Sequence, residues 1–192
     1  MRKMTLSLDT YRQLGRSGLR VSPLALGAAT FGNDWGWGAE KDEARRLFDT
    51  YVENGGNFID TAVTYTNGTS EKLLGEFAGT QRDRLILATK YTTLRDPRDP
   101  NSGGASRKSL FGAVETSLRQ LNTDYIDVLY LHVWDAPLLW RRSCGVSTTW
   151  FIRARCFTWP SPTARPGRSH ACRRSPTSGP GRRWWLCSWS TT

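Results

Sequence analysis

The sequence predicts an α/β fold, a partial (β/α)8 TIM barrel with an N-terminal hairpin, about four βα units and an irregular tail. Short apolar runs alternate with segments of helical periodicity, which implies a parallel sheet with right-handed crossovers. These runs begin roughly 30 to 40 residues apart, as βα units require. A doubly wound sheet would need a G-x-G-x-x-G turn after its first strand, and that turn is absent. Four strands by residue 132 amount to half of a barrel, which takes about 250 residues in full.

The chain begins with a predicted hairpin and a predicted buried strand. Residues 11–22 place Gly15 and Gly18 between short apolar flanks, a pattern typical of a hairpin. Residues 23–27 form the predicted buried strand. It opens into a loop of small residues at 28–32, where glycine and alanine would let a ligand approach the backbone closely.

Helices and strands then alternate up to residue 132. The first helix is predicted from Glu40 to the Gly55-Gly56 pair, because Ala44, Leu47, Phe48, Tyr51 and Val52 recur at helical spacing. Two further helices are predicted at 70–77 and 106–121, and three further strands at 57–59, 85–89 and 125–131.

Each of the last three strands brings a proton-handling side chain to its carboxyl end. Asp60 and Tyr65 follow the first of them, Lys90 the second and His132 the third. Any one of these residues alone would more commonly be a solvated loop residue or a packing residue. Because the carboxyl ends of parallel strands share one face of a barrel, we expect the four to converge there as an active site.

Residues 11–135 resemble the first half of an aldo-keto reductase. The motifs that carry the resemblance are Y-R-x-L-G-x-S-G-L-x-V-S at 11–22, L-G-A-A at 26–29, D-T-A-x-x-Y at 60–65, S-E at 70–71, T-K at 89–90 and D-x-x-x-x-H at 127–132. Ala28 replaces the threonine that is usual in the second motif. The order of these six motifs is more specific than any one of them.

The resemblance implies an oxidoreductase that reduces a carbonyl to an alcohol by hydride transfer from NADPH, which becomes NADP+. Its catalytic residues would be Asp60, Tyr65, Lys90 and His132. A phenol has a pKa of about 10 and donates its proton poorly near neutrality unless its anion is stabilised, here by the lysine, which the aspartate would hold in place. The histidine would orient the carbonyl oxygen of a small-molecule substrate.

The nicotinamide end of the cofactor is expected near Gly27, Ala28, Ala29 and Asp60. No metal is expected. A non-catalytic NADP-binding barrel, such as the channel-associated β-subunits of this fold, is the alternative. Trp134 is expected either to line a substrate pocket or to pack at the barrel rim.

The last third of the chain differs in composition from the rest. Residues 1–135 hold 17 Lys+Arg and 17 Asp+Glu, whereas residues 136–192 hold 10 Arg and no Lys, Asp or Glu. All four cysteines lie in the second segment. We therefore divide the chain into a half-barrel, 1–135, and a tail, 136–192, which we expect to be disordered.

The tail can be read as the same gene in a shifted frame. Residues 140–145 can be encoded by TGG-AGG-AGG-TCA-TGC-GGG. If the last base of each codon is read with the first two bases of the next, this DNA encodes Glu-Glu-Val-Met-Arg. Residues 148–156 likewise allow DDLVHPGKV, and residues 184–192 allow LVALQLEYN. These resemble the segments that follow the fourth strand in aldo-keto reductases. We expect a single-base frame change between Asp135 and Leu138, arising in a pseudogene or from a sequencing slip.

Other classes of protein fit less well. An Arg-rich, Trp-interleaved tail could bind nucleic acid, but out-of-frame GC-rich DNA also yields arginine without lysine, so no specific nucleic-acid partner is expected. The four cysteines form no C-x-x-C motif, which argues against zinc. No apolar run spans a bilayer and no signal-peptide core is present, so a cytoplasmic protein is expected. The oligomeric state stays open. Without the second half of the barrel, this chain is expected to be inactive.

Overall fold

The computed structural model describes residues 7–15 and 17–133 and, beyond these, the backbone of residues 156–158, 171–174 and 185–188. An antiparallel hairpin of β1 (Arg12–Gln13) and β2 (Arg20–Val21) comes first, as predicted. Four parallel strands and three α-helices then alternate. The strands are β3 (Leu26–Gly27), β4 (Phe58–Asp60), β5 (Ile86–Tyr91) and β6 (Ile126–Leu131), and the helices are α1 (Lys41–Glu53), α2 (Thr69–Ala78) and α3 (Arg107–Gln120).

The sheet has the parallel order β3-β4-β5-β6 that the alternation predicts. Its register pairs Gly27 with Asp60, Asp60 with Ala88, and Lys90 with Tyr130. All four strands therefore end on one side of the molecule. The predicted partial α/β barrel is confirmed for this part of the chain.

The helices cover the sheet with two groups of buried apolar residues. One group lies among α1, α2 and the first strands and includes Phe48, Leu74 and Phe77. The other lies between α3 and the last strands and includes Leu110 and Val114. Burial of each side chain of this size stabilises the fold by roughly 1.5–3 kcal/mol relative to exposure. The apolar faces of the helices therefore hold the helices against the sheet.

The buried face of α1 is narrower than the sequence predicts. Ala44, Phe48 and Tyr51 are buried, but Leu47 is 47% exposed. A residue three positions after Ala44 lies about 60° from it around the helix, at the edge of the apolar stripe, since each residue turns the helix by about 100°. The helical spacing of apolar residues in the sequence therefore did not distinguish the buried centre of the apolar face of α1 from its exposed edge.

The prediction that residues 23–27 form a buried strand is wrong in two respects. Only Leu26–Gly27 forms a strand, and Leu24 is 57% exposed. Among the described residues, β3 pairs only with β4. Its other edge therefore has no strand to pack against in this part of the chain.

Three short strands are described in the tail, where none was predicted. The strand β7 (Cys156–Thr158) adds in parallel to β6, and β8 (Ala171–Arg174) pairs antiparallel with β9 (Trp185–Ser188). The remaining residues of 136–192, whose disorder we expected, lie outside the described residues, as does Trp134. None of the described helices is long and apolar enough to cross a membrane.

Candidate active site

The strand ends bring the four predicted residues together. Asp60 is the last residue of β4, Lys90 the penultimate residue of β5, and His132 follows β6 directly. Tyr65 opens the 3-10 turn Tyr65–Gly68 that leads into α2. The strand β5 runs one residue past Lys90, to Tyr91, so the lysine lies within the strand rather than at its end.

Lys90 is the centre of this group. Its Nζ donates to Asp60 Oδ2 over 2.6 Å, to the carbonyl oxygen of Thr61 over 2.8 Å and to Tyr65 Oη over 3.1 Å. Its side chain is only 13% exposed, and that of Asp60 is 32% exposed. A partly buried ammonium with three acceptors is held in one position. Because the phenol oxygen accepts from the lysine, its own proton can point elsewhere.

The turn after Tyr65 holds two residues in left-handed backbone conformations. Thr66 has φ 44° and Asn67 has φ 55°, and this region is costly for a β-branched residue. Thr66 Oγ1 donates to the carbonyl oxygen of Phe31 over 2.6 Å and accepts from Ser70 N over 3.0 Å. These two bonds tie the turn to the β3 loop and to α2. Tyr65 is thereby fixed at the site.

His132 faces the phenol at a right angle. The ring centroids of Tyr65 and His132 are 5.5 Å apart, with an interplanar angle of 88°. Burial lowers the pKa of His132 below its usual 6.5, the positive charge of Lys90 lowers it further, and Asp60 opposes both effects. The imidazole is therefore neutral at pH 7, with one nitrogen that donates and one that accepts.

The loop that follows β3 lies beside the same strand ends. Ala28 N donates to the carbonyl oxygen of Asp60 over 2.9 Å, and Ser70 Oγ donates to the carbonyl oxygen of Ala28 over 2.6 Å. A Cβ placed on Gly27 would meet no atom within 4 Å, so the space above this glycine is open. Ala29 is half-buried. Small residues beside open space fit the flat end of a nucleotide cofactor.

Two tryptophans that we did not predict stand at the mouth of the site. Trp35 packs edge-on against Tyr65, with ring centroids 6.3 Å apart, and Trp37 packs against Trp35 at 5.7 Å. They are 39% and 60% exposed. The signal in the sequence was two aromatic residues within the glycine-rich stretch 32–38. Exposed indole rings beside a reactive phenol can form one wall of a binding pocket.

A buried carboxyl group, also not predicted as part of the site, lies next to the lysine strand. Glu71 of α2 is fully buried and accepts from Thr89 Oγ1, the residue before Lys90. Burial raises the pKa of Glu71 to about 7. Hydrogen bonds from Thr89 and Ser117 and the positive charge of Lys90 lower this pKa, but by less than burial raises it. In the described part of the chain, no group of three His, Cys, Asp or Glu could hold a metal ion.

Comparison with protein families gives one match, which covers residues 23–149. It is the model of the aldo/keto reductase family. The matched range contains Lys90, the three other side chains of the group and the loop at Gly27.

Curated relatives share the same range of the chain. A norsolorinic acid reductase of Aspergillus flavus is 46% identical over 139 residues, which cover 67% of this chain and 36% of the relative. An aryl-alcohol dehydrogenase of Pestalotiopsis microspora is 44% identical over 138 residues, with the same two coverages. A putative aryl-alcohol dehydrogenase of Saccharomyces cerevisiae is 42% identical over 140 residues, which cover 66% of that protein. The chain thus spans about a third of the length of the first two.

Solved structures agree with the fold. An aldo-keto reductase of Bacillus halodurans, in its holo form, superposes with a TM-score of 0.65 at 29% identity, over 78% of this chain and 50% of that one. A putative aldo-keto reductase of Pseudomonas aeruginosa gives a TM-score of 0.67 at 29% identity, over 81% and 59% of the two chains.

Proposed function

Because the chain belongs to the aldo/keto reductase family, we propose that residues 23–133 carry the proton-transfer site of an NADPH-dependent carbonyl reductase. The observation that supports this best is the contact of Lys90 Nζ with both Asp60 Oδ2 and Tyr65 Oη. Reduction of a carbonyl group leaves an alkoxide, which needs a proton. Tyr65 donates it, and the ammonium 3.1 Å from its oxygen stabilises the phenolate that remains.

Asp60 and His132 support this proton transfer from two sides: Asp60 acts on the lysine beside the proton donor, and His132 acts on the substrate oxygen that accepts the proton. Asp60 holds the lysine in contact with the phenol and keeps its charge in place. The neutral imidazole, perpendicular to the phenol ring, donates one N–H to the substrate oxygen and directs that oxygen toward Tyr65. Each residue therefore has a separate role: loss of the phenol removes the proton donor, and loss of the lysine removes the charge that stabilises the phenolate.

NADPH supplies the hydride when it is bound. Gly27, Ala28 and Ala29 would lie against its nicotinamide end, since the space above Gly27 is open and Ala28 N contacts the carbonyl oxygen of Asp60. The backbone N–H of Ala28 already donates to the carbonyl oxygen of Asp60, so this loop and the catalytic carboxylate are fixed to each other. A bound nicotinamide would therefore contact a loop that is held in place next to the proton donor.

We propose an aryl aldehyde or aryl ketone as the substrate class. Trp35 packs against Tyr65 and Trp37 packs against Trp35, and the two exposed indole rings offer a surface on which a flat aromatic compound can stack. The names of relatives, an aryl-alcohol dehydrogenase and a norsolorinic acid reductase, support an aromatic substrate.

We further propose that the 192-residue chain has no turnover of its own. Among the described residues, β3 has a neighbour on one side only, so these strands do not close a barrel. An unpaired parallel edge also favours aggregation. The family match ends at residue 149 and leaves residues 150–192 outside it.

The test uses two proteins. One is the 192-residue chain, and the other is a frame-restored protein, in which the frame change predicted between Asp135 and Leu138 is reversed. NADPH oxidation with benzaldehyde as the substrate is followed at 340 nm. We expect turnover only in the frame-restored protein. Turnover in the 192-residue chain would contradict its inactivity. If the frame-restored protein binds NADPH and reduces no aryl or alkyl carbonyl, the non-catalytic alternative is favoured.

A further inference from the structure

His132 has one hydrogen-bond partner for its ring among the described residues. Thr93 Oγ1 lies 2.9 Å from His132 Nδ1, and Nε2 has no partner in this part of the chain. We propose that Thr93 is a positioning residue that donates to Nδ1 and so fixes His132 in the tautomer whose Nε2–H faces the substrate oxygen. This proposal rests on the proposed function of the site.

The backbone around Thr93 is fixed to the backbone around His132. His132 N donates to the carbonyl oxygen of Tyr91 over 2.9 Å. Thr92 Oγ1 accepts from Val133 N over 2.9 Å and donates to the carbonyl oxygen of Val133 over 3.1 Å. Three hydrogen bonds thus join the two strand ends, and they place the hydroxyl of Thr93 opposite the imidazole.

Thr92 adopts an unusual conformation that this arrangement requires. Its φ is 91°, in a region that β-branched residues rarely occupy. The two hydrogen bonds of its side chain to Val133 hold it there. The hydroxyl of the next residue, Thr93, lies 2.9 Å from His132 Nδ1.

The charges around the ring favour its neutral form. Lys90, from β5, and Asp60, from β4, are the charged groups that act on it, and the lysine has the larger effect. A neutral imidazole carries one proton, so the two nitrogens have opposite roles. A hydroxyl that donates to Nδ1 keeps the proton on Nε2, and this is the form that can donate to a carbonyl oxygen.

The hydroxyl of Thr93 is available for this role. Its contact with Nδ1 is its one side-chain hydrogen bond in the described part of the chain. A hydroxyl can either donate or accept, and the two directions correspond to different tautomers of His132. The direction is what an experiment must measure.

The experiment measures the tautomer directly and needs no turnover. The 192-residue chain is labelled with ¹⁵N, and long-range ¹H–¹⁵N NMR spectra of the histidine rings are recorded above the pKa of His132. The sequence has one other histidine, His170, so His170→Gln assigns the signals. We expect protonated Nε2 and an unprotonated Nδ1 whose resonance shows a hydrogen bond. Protonated Nδ1, or the shifts of a free histidine, would overturn the proposal.

Two variants separate the hydrogen bond from simple packing. Thr93→Val keeps the shape of the side chain and removes the hydroxyl, so the tautomers should mix and the Nε2 resonance should move downfield, toward that of Nδ1. Thr93→Ser keeps the hydroxyl and should restore the wild-type pattern. Identical Nε2 shifts in wild type and Thr93→Val would overturn the proposal. Failure of carbonyl reduction in the frame-restored protein would leave these spectra unaffected, so the two hypotheses fail separately.

Discussion

The two ends of the sheet each carry an ion pair that is at least partly buried, and the two pairs differ in what surrounds them. At the carboxyl end, Lys90 contacts Asp60 over 2.6 Å and also the phenol of Tyr65. At the amino end, Arg82 contacts Asp127 over 2.7 Å. Both pairs join neighbouring strands or the segments that lead into them. At the carboxyl end the phenol oxygen of Tyr65 accepts directly from the cation, whereas at the amino end the Tyr125 ring stacks on Arg82 at 3.9 Å and its hydroxyl donates to Asp83 instead.

The Arg82 pair has the features of a structural link. Its guanidinium donates to the carbonyl oxygens of Leu85 and Tyr125 over 2.9 and 3.0 Å, and Asp127 Oδ2 accepts from Leu87 N over 2.9 Å. Burial raises the pKa of Asp127, and the charge of Arg82 opposes this. Nearly all partners are backbone groups that do not titrate. Barrels of this kind place chemistry at the carboxyl ends of the strands and stability at the amino ends.

The strongest test of this difference compares two tyrosines, one at each end. In the frame-restored protein, Tyr65→Phe and Lys90→Met should lower kcat by about 10²- to 10⁴-fold, because the proton donor or its stabilising charge is lost. Tyr125→Phe is the matched control, since its phenol donates to Asp83 at the amino end. Steady-state NADPH oxidation measures all three. A comparable loss of kcat in Tyr125→Phe would remove the distinction between the ends.

At the amino end, the expected effect is on stability. Arg82→Met leaves the Asp127 carboxylate buried without its cation and should lower the free energy of unfolding by about 3–5 kcal/mol. Lys41→Met is the control, because Lys41 and Glu76 form an exposed pair, worth about 0–1 kcal/mol. Urea unfolding of the 192-residue chain, followed by circular dichroism, measures both. Equal shifts of the two urea midpoints would show that the buried Arg82–Asp127 pair stabilises the fold no more than the exposed Lys41–Glu76 pair.

Glu71 tests how far burial controls the protonation of a carboxyl group beside the lysine strand. Its pKa in the folded chain, about 7, lies above the usual 4.5, so the folded state binds its proton more tightly than the unfolded state. Stability should therefore fall as the pH rises from about 4.5 to about 7, by up to about 1.4 kcal/mol per pH unit. In Glu71→Gln this loss should vanish, whereas the exposed Glu43→Gln should retain it. The measurement is the urea midpoint of each variant at pH 5 and at pH 7. If the stability of Glu71→Gln still falls between these pH values, another group is responsible for the loss.

The smallest expected effect concerns stability at the carboxyl end. Ser106 caps α3, with its Oγ accepting from Ser109 N over 3.1 Å. Ser106→Ala should lower the free energy of unfolding by about 1 kcal/mol, and Ser106→Asp should retain the cap. Neither change should alter kcat in the frame-restored protein. An alanine variant as stable as wild type would show that solvent replaces the cap without cost.

The sequence predicted the order of elements well because its patterns are local. Helical spacing placed α2 and α3 to within one or two residues, and the apolar runs placed β4, β5 and β6. It failed at β3, where Leu24 is exposed, because burial of a strand depends on what packs against it and not on its own residues.

The candidate site could be predicted only in part. Asp60, Tyr65, Lys90 and His132 were predicted because each follows a strand and the parallel topology brings strand ends together. Trp35, Glu71 and Thr93 were not, because each reaches the site from a loop or helix whose path no local pattern specifies. The catalytic roles of the four residues and the frame change in the tail stay predictions.

Sequence alone determined that this chain folds as the first half of an α/β barrel with an acid, a phenol, an amine and an imidazole at its strand ends. Only the tertiary structure decided that the lysine nitrogen contacts both the carboxylate and the phenol, and that a threonine hydroxyl meets the imidazole. The physical reason is one of range. Periodicity reflects the few residues of a single turn or strand, whereas a hydrogen bond of 3 Å between residues far apart in the chain depends on how whole elements pack.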